Sequence, residues 1–131
     1  MGALIAVFLG GILGTGARLE LDALIPHSDS QFPLDTLLIN IVGSFLLAVF
    51  VSRLWPIVPR WLRAGLGPGL LGGFTTFSAV MASMVTLAAS SQILLAIGYA
   101  LLTLVLGFGA ALLGFRITRR RDADATIEVD E

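Results

Sequence analysis

The sequence predicts an all-α membrane protein with four transmembrane helices, the third of which is broken in the middle of the membrane. First, 56% of the 131 residues are hydrophobic and 13% are charged, whereas about 25% of the residues of a soluble domain are charged. Second, the chain has room for four spans of about 20 residues, the length that crosses roughly 30 Å of hydrocarbon. Third, the stretch 65–78, GLGPGLLGGFTTFS, places five glycines and a proline between apolar flanks.

The first span is predicted at about 2–19, where Gly10, Gly14 and Arg18 fall on one helical face. Small residues four apart let membrane helices approach closely, so the two glycines are interpreted as a packing face. Arg18 is compatible with two roles. Its guanidinium extends to the membrane interface, or it supplies positive potential at the mouth of an anion path. The polar connection 20–33 contains the single histidine, His27, to which we assign no role.

The second span is predicted at about 34–55 and carries a polar or small residue at every fourth position: Thr36, Asn40, Ser44 and Ala48. An amide within the membrane is costly unless it is hydrogen-bonded. Asn40 alone would therefore indicate a hydrogen bond between helices. The hydroxyls that flank it favour an amide that faces a pore.

The third span is predicted at about 61–89 and contains the break. Gly costs about 1 kcal/mol and Pro roughly 3 kcal/mol in a helix interior, so a continuous helix through 65–78 is penalised repeatedly. Thr75, Thr76 and Ser78 are residue types that cap helix N-termini, which predicts that a second half-helix begins there. Non-helical backbone at membrane depth persists only where it is buried in protein or lines a cavity. The break therefore predicts an ion site.

The fourth span is predicted at about 93–115, with Tyr99 and Thr103 on one face, and a charged, disordered cytoplasmic tail is predicted at 116–131. Seven of the eight arginines lie in that tail or at the connection between spans two and three, and the chain has no lysine. With four spans, these two regions lie on the same side of the membrane. The positive-inside rule then places both termini in the cytoplasm of a multi-pass cell-membrane protein.

Three segments together resemble the CrcB/Fluc fluoride channel family: GGILGTGAR at 10–18, TLLINIVGSFLL at 36–47 and GGFTTFS at 72–78. They lie in the first three spans, in the family's order. The resemblance implies a fluoride-specific channel subunit that passively exports fluoride and so lowers intracellular fluoride and its toxicity. It implies an antiparallel dimer with two pores between the subunits. It also implies a structural Na⁺ at the dimer centre, held by the backbone carbonyls of Gly72 and Thr75.

The same resemblance implies an ion path. Asn40 corresponds to the family's pore asparagine and Phe77 to the first of two pore phenylalanines, while Tyr99 and Thr103 resemble a polar track on the fourth span. These residue types suit a small anion, because an Asn amide has two N–H donors, a hydroxyl has one and the edge of an aromatic ring is electropositive. The candidate path residues are Arg18, Thr36, Asn40, Phe77, Ser78, Tyr99 and Thr103.

Two features depart from the family pattern. The family's second pore phenylalanine corresponds to Val80, so a pore that needs both rings from this subunit would be impaired. A homodimer that inserts in both orientations needs nearly balanced loop charge, whereas the arginines here are strongly biased to one side. The family contains paired paralogues of opposite orientation. We therefore hypothesise an antiparallel heterodimer in which the partner contributes what this chain lacks.

Other functions fit parts of the sequence. A non-conducting or partner-dependent subunit is compatible with Val80. A proton-coupled small multidrug transporter needs a carboxylate within the membrane, but Glu20, Asp22 and Asp35 lie at or beyond the ends of the spans. An enzyme is not expected, because the sequence offers no nucleophile–base pair and no cluster of metal-ligating side chains. The absence of cysteine excludes disulfides and thiolate metal sites.

Overall fold

The structure, a computed structural model, describes residues 1–24 and 32–127, with side chains through residue 119. Regular structure in these residues is helical: α1 Gly2–Leu24, α2 Leu34–Arg53, α3 Arg60–Ala64, a π-helix Gly65–Leu71, α4 Gly72–Phe74, α5 Phe77–Ala89 and α6 Ile93–Ile127. Four stretches are long and apolar enough to cross a membrane: 2–24, 34–53, 60–89 and 93–119. The predicted all-α membrane fold with four spans is confirmed.

Two helices are longer than their predicted spans. Helix α1 continues to Leu24, and α6 continues past Phe115 to Ile127. The first part of the tail, which was predicted to be disordered from Arg116 onward, therefore lies in α6 as far as Ile127. Arginine and alanine, which are frequent in 116–127, are strong helix formers. His27 and the last four residues, 128–131, lie outside the described residues.

The third span is broken, as predicted. The π-helix contains Pro68, whose ring and missing N–H disfavour the regular α-helical ladder. After α4 the backbone becomes extended at Thr75 (ψ 150°) and Thr76 (φ −146°, ψ 120°). The hydroxyl of Thr76 then caps α5 by accepting a 3.2 Å hydrogen bond from the N–H of Ala79.

Helix α1 packs on the first half of the third span with backbone against backbone. A Cβ added at Gly10 would collide with the carbonyl oxygen of Gly65, and one at Gly14 would collide with that of Leu70. The interface is glycine-lined on both sides, since a Cβ at Gly69 would lie 2.9 Å from the carbonyl oxygen of Val7. The packing role inferred for the glycines of α1 is confirmed.

Helices α2 and α6 lie side by side and run in the same direction, opposite to the third span. The Ser44 hydroxyl oxygen would lie 3.6 Å from a Cβ added at Gly107. The Cβ of Ala48 would lie 2.9 Å from a Cβ added at Gly114. The stripe of α2 that begins at Thr36 therefore faces α6. The third span crosses the same stripe at the level of Asn40, so the broken backbone lies against polar side chains.

Candidate ion path

The side chain of Asn40 holds the break in place. Its Nδ2 donates a 2.9 Å hydrogen bond to the carbonyl of Thr76, and its Oδ1 accepts a 2.8 Å hydrogen bond from the N–H of the same residue. One amide thus satisfies both backbone groups of an extended residue at membrane depth, where unpaired groups cost several kcal/mol. Asn40 therefore makes the hydrogen bond between helices and also lies on the groove described below.

The pair of Asn40–Thr76 hydrogen bonds, here called the clasp, and the Thr76 cap of α5 each free one backbone carbonyl at the break. In a continuous helix the N–H groups of Thr76 and Ala79 would bind the carbonyls of Gly72 and Thr75. Here they donate to the Asn40 side chain and to the Thr76 hydroxyl instead. The oxygens of Gly72 and Thr75 are the ones that the family resemblance implies as Na⁺ ligands. Hard oxygen donors of this kind suit such a cation.

No group of three or more His, Cys, Asp or Glu side chains that could hold a metal ion occurs among the described residues. The residues present fit a structural Na⁺, which would be held by the carbonyls of Gly72 and Thr75.

A groove of about 430 Å³ opens beside the break, between α2, the start of α5 and α6. We call it the groove throughout. Its lining consists of Asn40, Ser44, Leu47, Thr75, Thr76, Phe77, Thr103, Leu104, Gly107, Phe108 and Ala111. Polar atoms of the amide and the hydroxyls lie on an otherwise apolar wall, an arrangement that offers a few directed hydrogen bonds to a small ligand.

Two phenylalanines line the groove within the single chain. Phe77 is 63% exposed and Phe108 is 69% exposed, and they lie on α5 and α6. Val80 is 1% exposed and belongs to the hydrophobic core together with Leu37 and Leu87. The valine at the family's second phenylalanine position therefore removes no ring from this chain's groove.

The predicted path residues fall into two groups. Asn40, Phe77 and Thr103 line the groove. Thr36 and Tyr99 are not among its lining residues, and both are buried inside the chain. The four-residue spacing placed each pair on one helix face, but the first member of each pair lies one turn deeper, where α2, α5 and α6 close together.

Two further candidates lie outside the groove lining. Ser78 is exposed and its hydroxyl lies 3.0 Å from that of Thr76, next to the groove. Arg18 is half-buried and is not among the groove residues. Its Nε is buried and forms no hydrogen bond within the described part of the chain, which leaves a cationic donor at the end of α1.

A hydroxyl cluster continues from the groove and consists of the buried Thr36, Tyr99 and Thr103 and the half-buried Ser83. The Tyr99 hydroxyl lies near the other three, but it is fully buried and forms no hydrogen bond among the described residues. Its ring packs edge-to-face on Phe32, with centroids 5.4 Å apart. A buried donor without a partner costs about 1–3 kcal/mol, and the hydroxyls of Thr36, Ser83 and Thr103 are the polar groups nearest to this one.

Sequence reasoning missed Phe108 and Asp35. Phe108 carries no signal beyond its place next to Gly107, and its role depends on which face of α6 meets the break. Asp35 was placed at the end of its span, yet its carboxyl is buried and accepts a hydrogen bond from Thr36. Its position one residue before the polar stripe was the available signal.

Comparison with known proteins identifies relatives over most of the chain. The model of the CrcB-like protein, Camphor Resistance (CrcB) family matches residues 5–115. The "Fluoride-specific ion channel FluC 1" of Mycolicibacterium paratuberculosis is 39% identical over 119 residues, which cover 89% of this chain and 90% of the relative. "Fluoride-specific ion channel FluC 2" of Halalkalibacterium halodurans is 40% identical over 89% and 86% of the two chains. The FluC of Paracoccus denitrificans is 37% identical over 86% and 91%.

Proposed function

The chain belongs to the CrcB family, and we propose that it is a fluoride channel subunit whose groove forms one wall of the ion path. The relatives carry the name of a fluoride-specific ion channel, and family membership makes the chain a multi-pass membrane protein rather than an enzyme. The observation that carries the proposal is the groove itself. It combines a clasped break, hydroxyl donors and two exposed aromatic rings at membrane depth.

The chemistry of the groove suits an anion that must pass without being trapped. Phe77 and Phe108 are exposed, and the edge of an aromatic ring is electropositive but carries no net charge. The second N–H of the Asn40 amide is a neutral donor, and the groove hydroxyls are neutral polar groups, of which those of Thr75 and Thr103 donate to the carbonyls of Leu71 and Tyr99. Conduction requires binding that is favourable enough for entry and weak enough for release. Neutral donors meet this requirement better than a buried cation would.

Two other residues act near the ends of the path. Arg18, with its unpaired buried Nε, raises the anion concentration at the mouth of the path. Ser78 lies beside Phe77 at the start of α5 and offers a hydroxyl to an ion that leaves the groove. Beyond Thr103 the buried Tyr99 hydroxyl continues the series of polar groups, beside the Thr36 hydroxyl, which donates to Asp35.

A second chain completes the path. The groove is open, and Phe77 and Phe108 project from it largely uncovered. An antiparallel partner would cover this face and bring its own break against that of the first chain. Na⁺ held by the carbonyls of Gly72 and Thr75 would then link the two breaks and add positive potential beside the anion path.

The partner is a paralogue of opposite orientation. The arginines are concentrated on one side of the membrane, which fixes the orientation of this chain with both termini in the cytoplasm. An antiparallel dimer needs a subunit inserted the other way. Expression of the chain alone tests this point, because antiparallel homodimers that conduct fluoride would contradict the heterodimer.

Fluoride efflux from liposomes tests the channel function. Two preparations of vesicles are compared, one with this chain alone and one with the chain and a co-expressed paralogue of opposite orientation. At least one of them is expected to release fluoride and to retain chloride. Phe77→Ala is expected to lower the efflux rate at least about tenfold, which corresponds to about 1.4 kcal/mol of barrier. Phe8→Ala is the matched control, since Phe8 is similarly exposed, at 68%, on α1. Fluoride release at the rate of empty vesicles in both preparations would indicate a non-conducting subunit.

A further inference from the structure

A second pocket lies beyond the groove, at the end of the seam between α2 and α6. It has a volume of about 400 Å³. Its lining consists of Val51, Ser52, Phe115, Thr118 and Arg119. We call it the arginine pocket. None of these residues lines the groove, and none belongs to the candidate ion path, so the pocket is a separate feature of the chain.

The arginine pocket exists because α2 ends where α6 continues. A Cβ added at Gly114 would lie 2.9 Å from the Cβ of Ala48 and 2.9 Å from the carbonyl oxygen of Phe45, so the two helices touch at this level. Beyond this contact α2 ends at Arg53, whereas α6 runs on to Ile127. The side of α6 therefore extends past the last turn of α2, and space remains between them.

The arginine pocket lies at the surface of the membrane. The apolar stretches that can cross a membrane end at residues 53 and 119, so the lining belongs to the last turns of two spans. Phe115 lies one turn closer to the membrane centre than Arg119, and together with Val51 it forms an apolar wall. A molecule in the pocket thus meets apolar side chains on the membrane side and a guanidinium on the water side.

Arg119 is the charged donor of the arginine pocket. The hydroxyls of Ser52 and Thr118 donate to carbonyl groups of their own helices, at 2.7 Å for Ser52 and at 3.0 and 2.9 Å for Thr118. The exposed guanidinium of Arg119 has five N–H groups in a planar fork that matches the oxygens of a phosphate. No Asp or Glu lines the pocket, and Arg53 and Arg116 adjoin lining residues in the sequence.

We propose that the arginine pocket binds an anionic phospholipid, with the Arg119 guanidinium on the phosphate and the start of an acyl chain against Val51 and Phe115. Basic pockets between membrane helices bind anionic headgroups, and the arginine bias predicts that this leaflet is the cytoplasmic one. A free phosphate ion would use the guanidinium but not the apolar wall, so the lining favours a lipid. The proposal goes beyond the channel function and does not depend on it.

Lipid retention tests the proposal. The detergent-solubilised protein, alone and with a co-expressed partner, is mixed with equal amounts of phosphatidylglycerol and phosphatidylcholine that carry the same acyl chains, and native mass spectrometry counts the bound lipid. The wild type is expected to prefer phosphatidylglycerol at least about fivefold, and Arg119→Gln is expected to lose this preference. Arg60→Gln is the matched control, because it removes an exposed arginine outside the pocket. It is expected to stay within about twofold of the wild type.

Filling the pocket separates it from the general positive charge of this surface. Val51→Phe keeps every arginine and places a larger side chain in the pocket, so it is expected to lower the preference to the level of Arg119→Gln. Ser52→Leu is used in its place if Val51→Phe does not elute as folded protein. An undiminished preference in the filled variant would overturn the assignment to the pocket.

The remaining outcomes also decide the proposal. Sodium phosphate is expected to release no more lipid than sodium chloride of equal ionic strength; greater release would show that the site takes free phosphate and not a lipid. Equal retention of both lipids by the wild type, alone and with its partner, would overturn the lipid site, as would an unchanged preference in Arg119→Gln. Because retention is measured without fluoride, none of these results bears on the channel function.

Discussion

The broken third span makes two contacts of opposite character. Towards α1 it is closed, since backbone meets backbone at Gly10 and Gly14 and no side chain fits between. Towards α2 and α6 it is open, with the groove lined by an amide, hydroxyls and aromatic rings. The same run of glycines allows the close approach on one face and the break in the helix on the other. One face fixes the span, and the other leaves room for an ion.

This difference shows how a small membrane protein keeps an irregular backbone in place. The break is tolerated because its polar groups bind Asn40 from one side, while the glycine packing of α1 supports it from the other. A substitution on the closed face should therefore change stability, and one on the open face should change conduction. Three stability predictions follow in order of expected size.

The largest effect is expected for Gly14→Ala. The new methyl group would collide with the carbonyl of Leu70, and a backbone atom cannot move aside as a flexible side chain can. Overpacking typically costs about 1–3 kcal/mol and more when the backbone is involved, so we expect a loss of at least about 3 kcal/mol. Thermal unfolding of the detergent-solubilised protein, followed by size-exclusion chromatography, measures it.

Gly16→Ala is the matched control on the same helix. A Cβ at Gly16 meets nothing within 4 Å, and alanine is favoured over glycine in a helix by about 1 kcal/mol. The control is expected to unfold at the same temperature as wild type or slightly higher. Equal destabilisation by both substitutions would show that the interface with α1 is not closed as described.

An intermediate effect is expected for Asn40→Ala. The substitution leaves the N–H and the carbonyl of Thr76 without their partner, and each unpaired buried group costs about 1–3 kcal/mol. We expect a loss of about 2–4 kcal/mol together with loss of fluoride efflux. Ser52→Ala is the control, because its hydroxyl binds the carbonyl of Ala48 within the same helix. Wild-type stability in Asn40→Ala would mean that the clasp does not hold the break.

The smallest effect is expected for Thr15→Val, on the closed face. The Thr15 hydroxyl donates to the carbonyl of Gly73 over 3.4 Å, a long hydrogen bond. Valine keeps the shape, so the expected cost is about 0.5 kcal/mol or less, with efflux unchanged. A loss as large as that of Gly14→Ala would show that α1 is held by this hydrogen bond rather than by glycine packing.

Much of the architecture could be predicted from the sequence because it depends on local patterns. Apolar runs predicted the four spans, and Gly and Pro in the run 65–78 predicted the break, and the structure has both. The spacing of Gly10 and Gly14 gave a packing face, since residues four apart share a helix face. Asn40 and Phe77, which the family resemblance singles out, both line the groove, and their role in an ion path stays a prediction.

The remaining features depend on how the helices rotate against one another. Thr36 and Asn40 share a stripe, but α5 and α6 close over the first and leave the second on the groove. Val80 is in the core, whereas Phe108 is on the groove. The periodicity of a single helix does not determine which of its residues face the core and which face the groove. The burial of Asp35 likewise depends on tertiary packing around the first turn of α2.

Silver block of single-cysteine variants tests the central claim, that the open face and not the closed face carries the ion. The native chain has no cysteine, so Ser44→Cys in the groove and Thr15→Cys on the closed face each introduce one thiol. Silver ions are expected to stop fluoride efflux through Ser44→Cys and to leave efflux through Thr15→Cys unchanged. Block of Thr15→Cys alone, or equal block of both, would contradict the account.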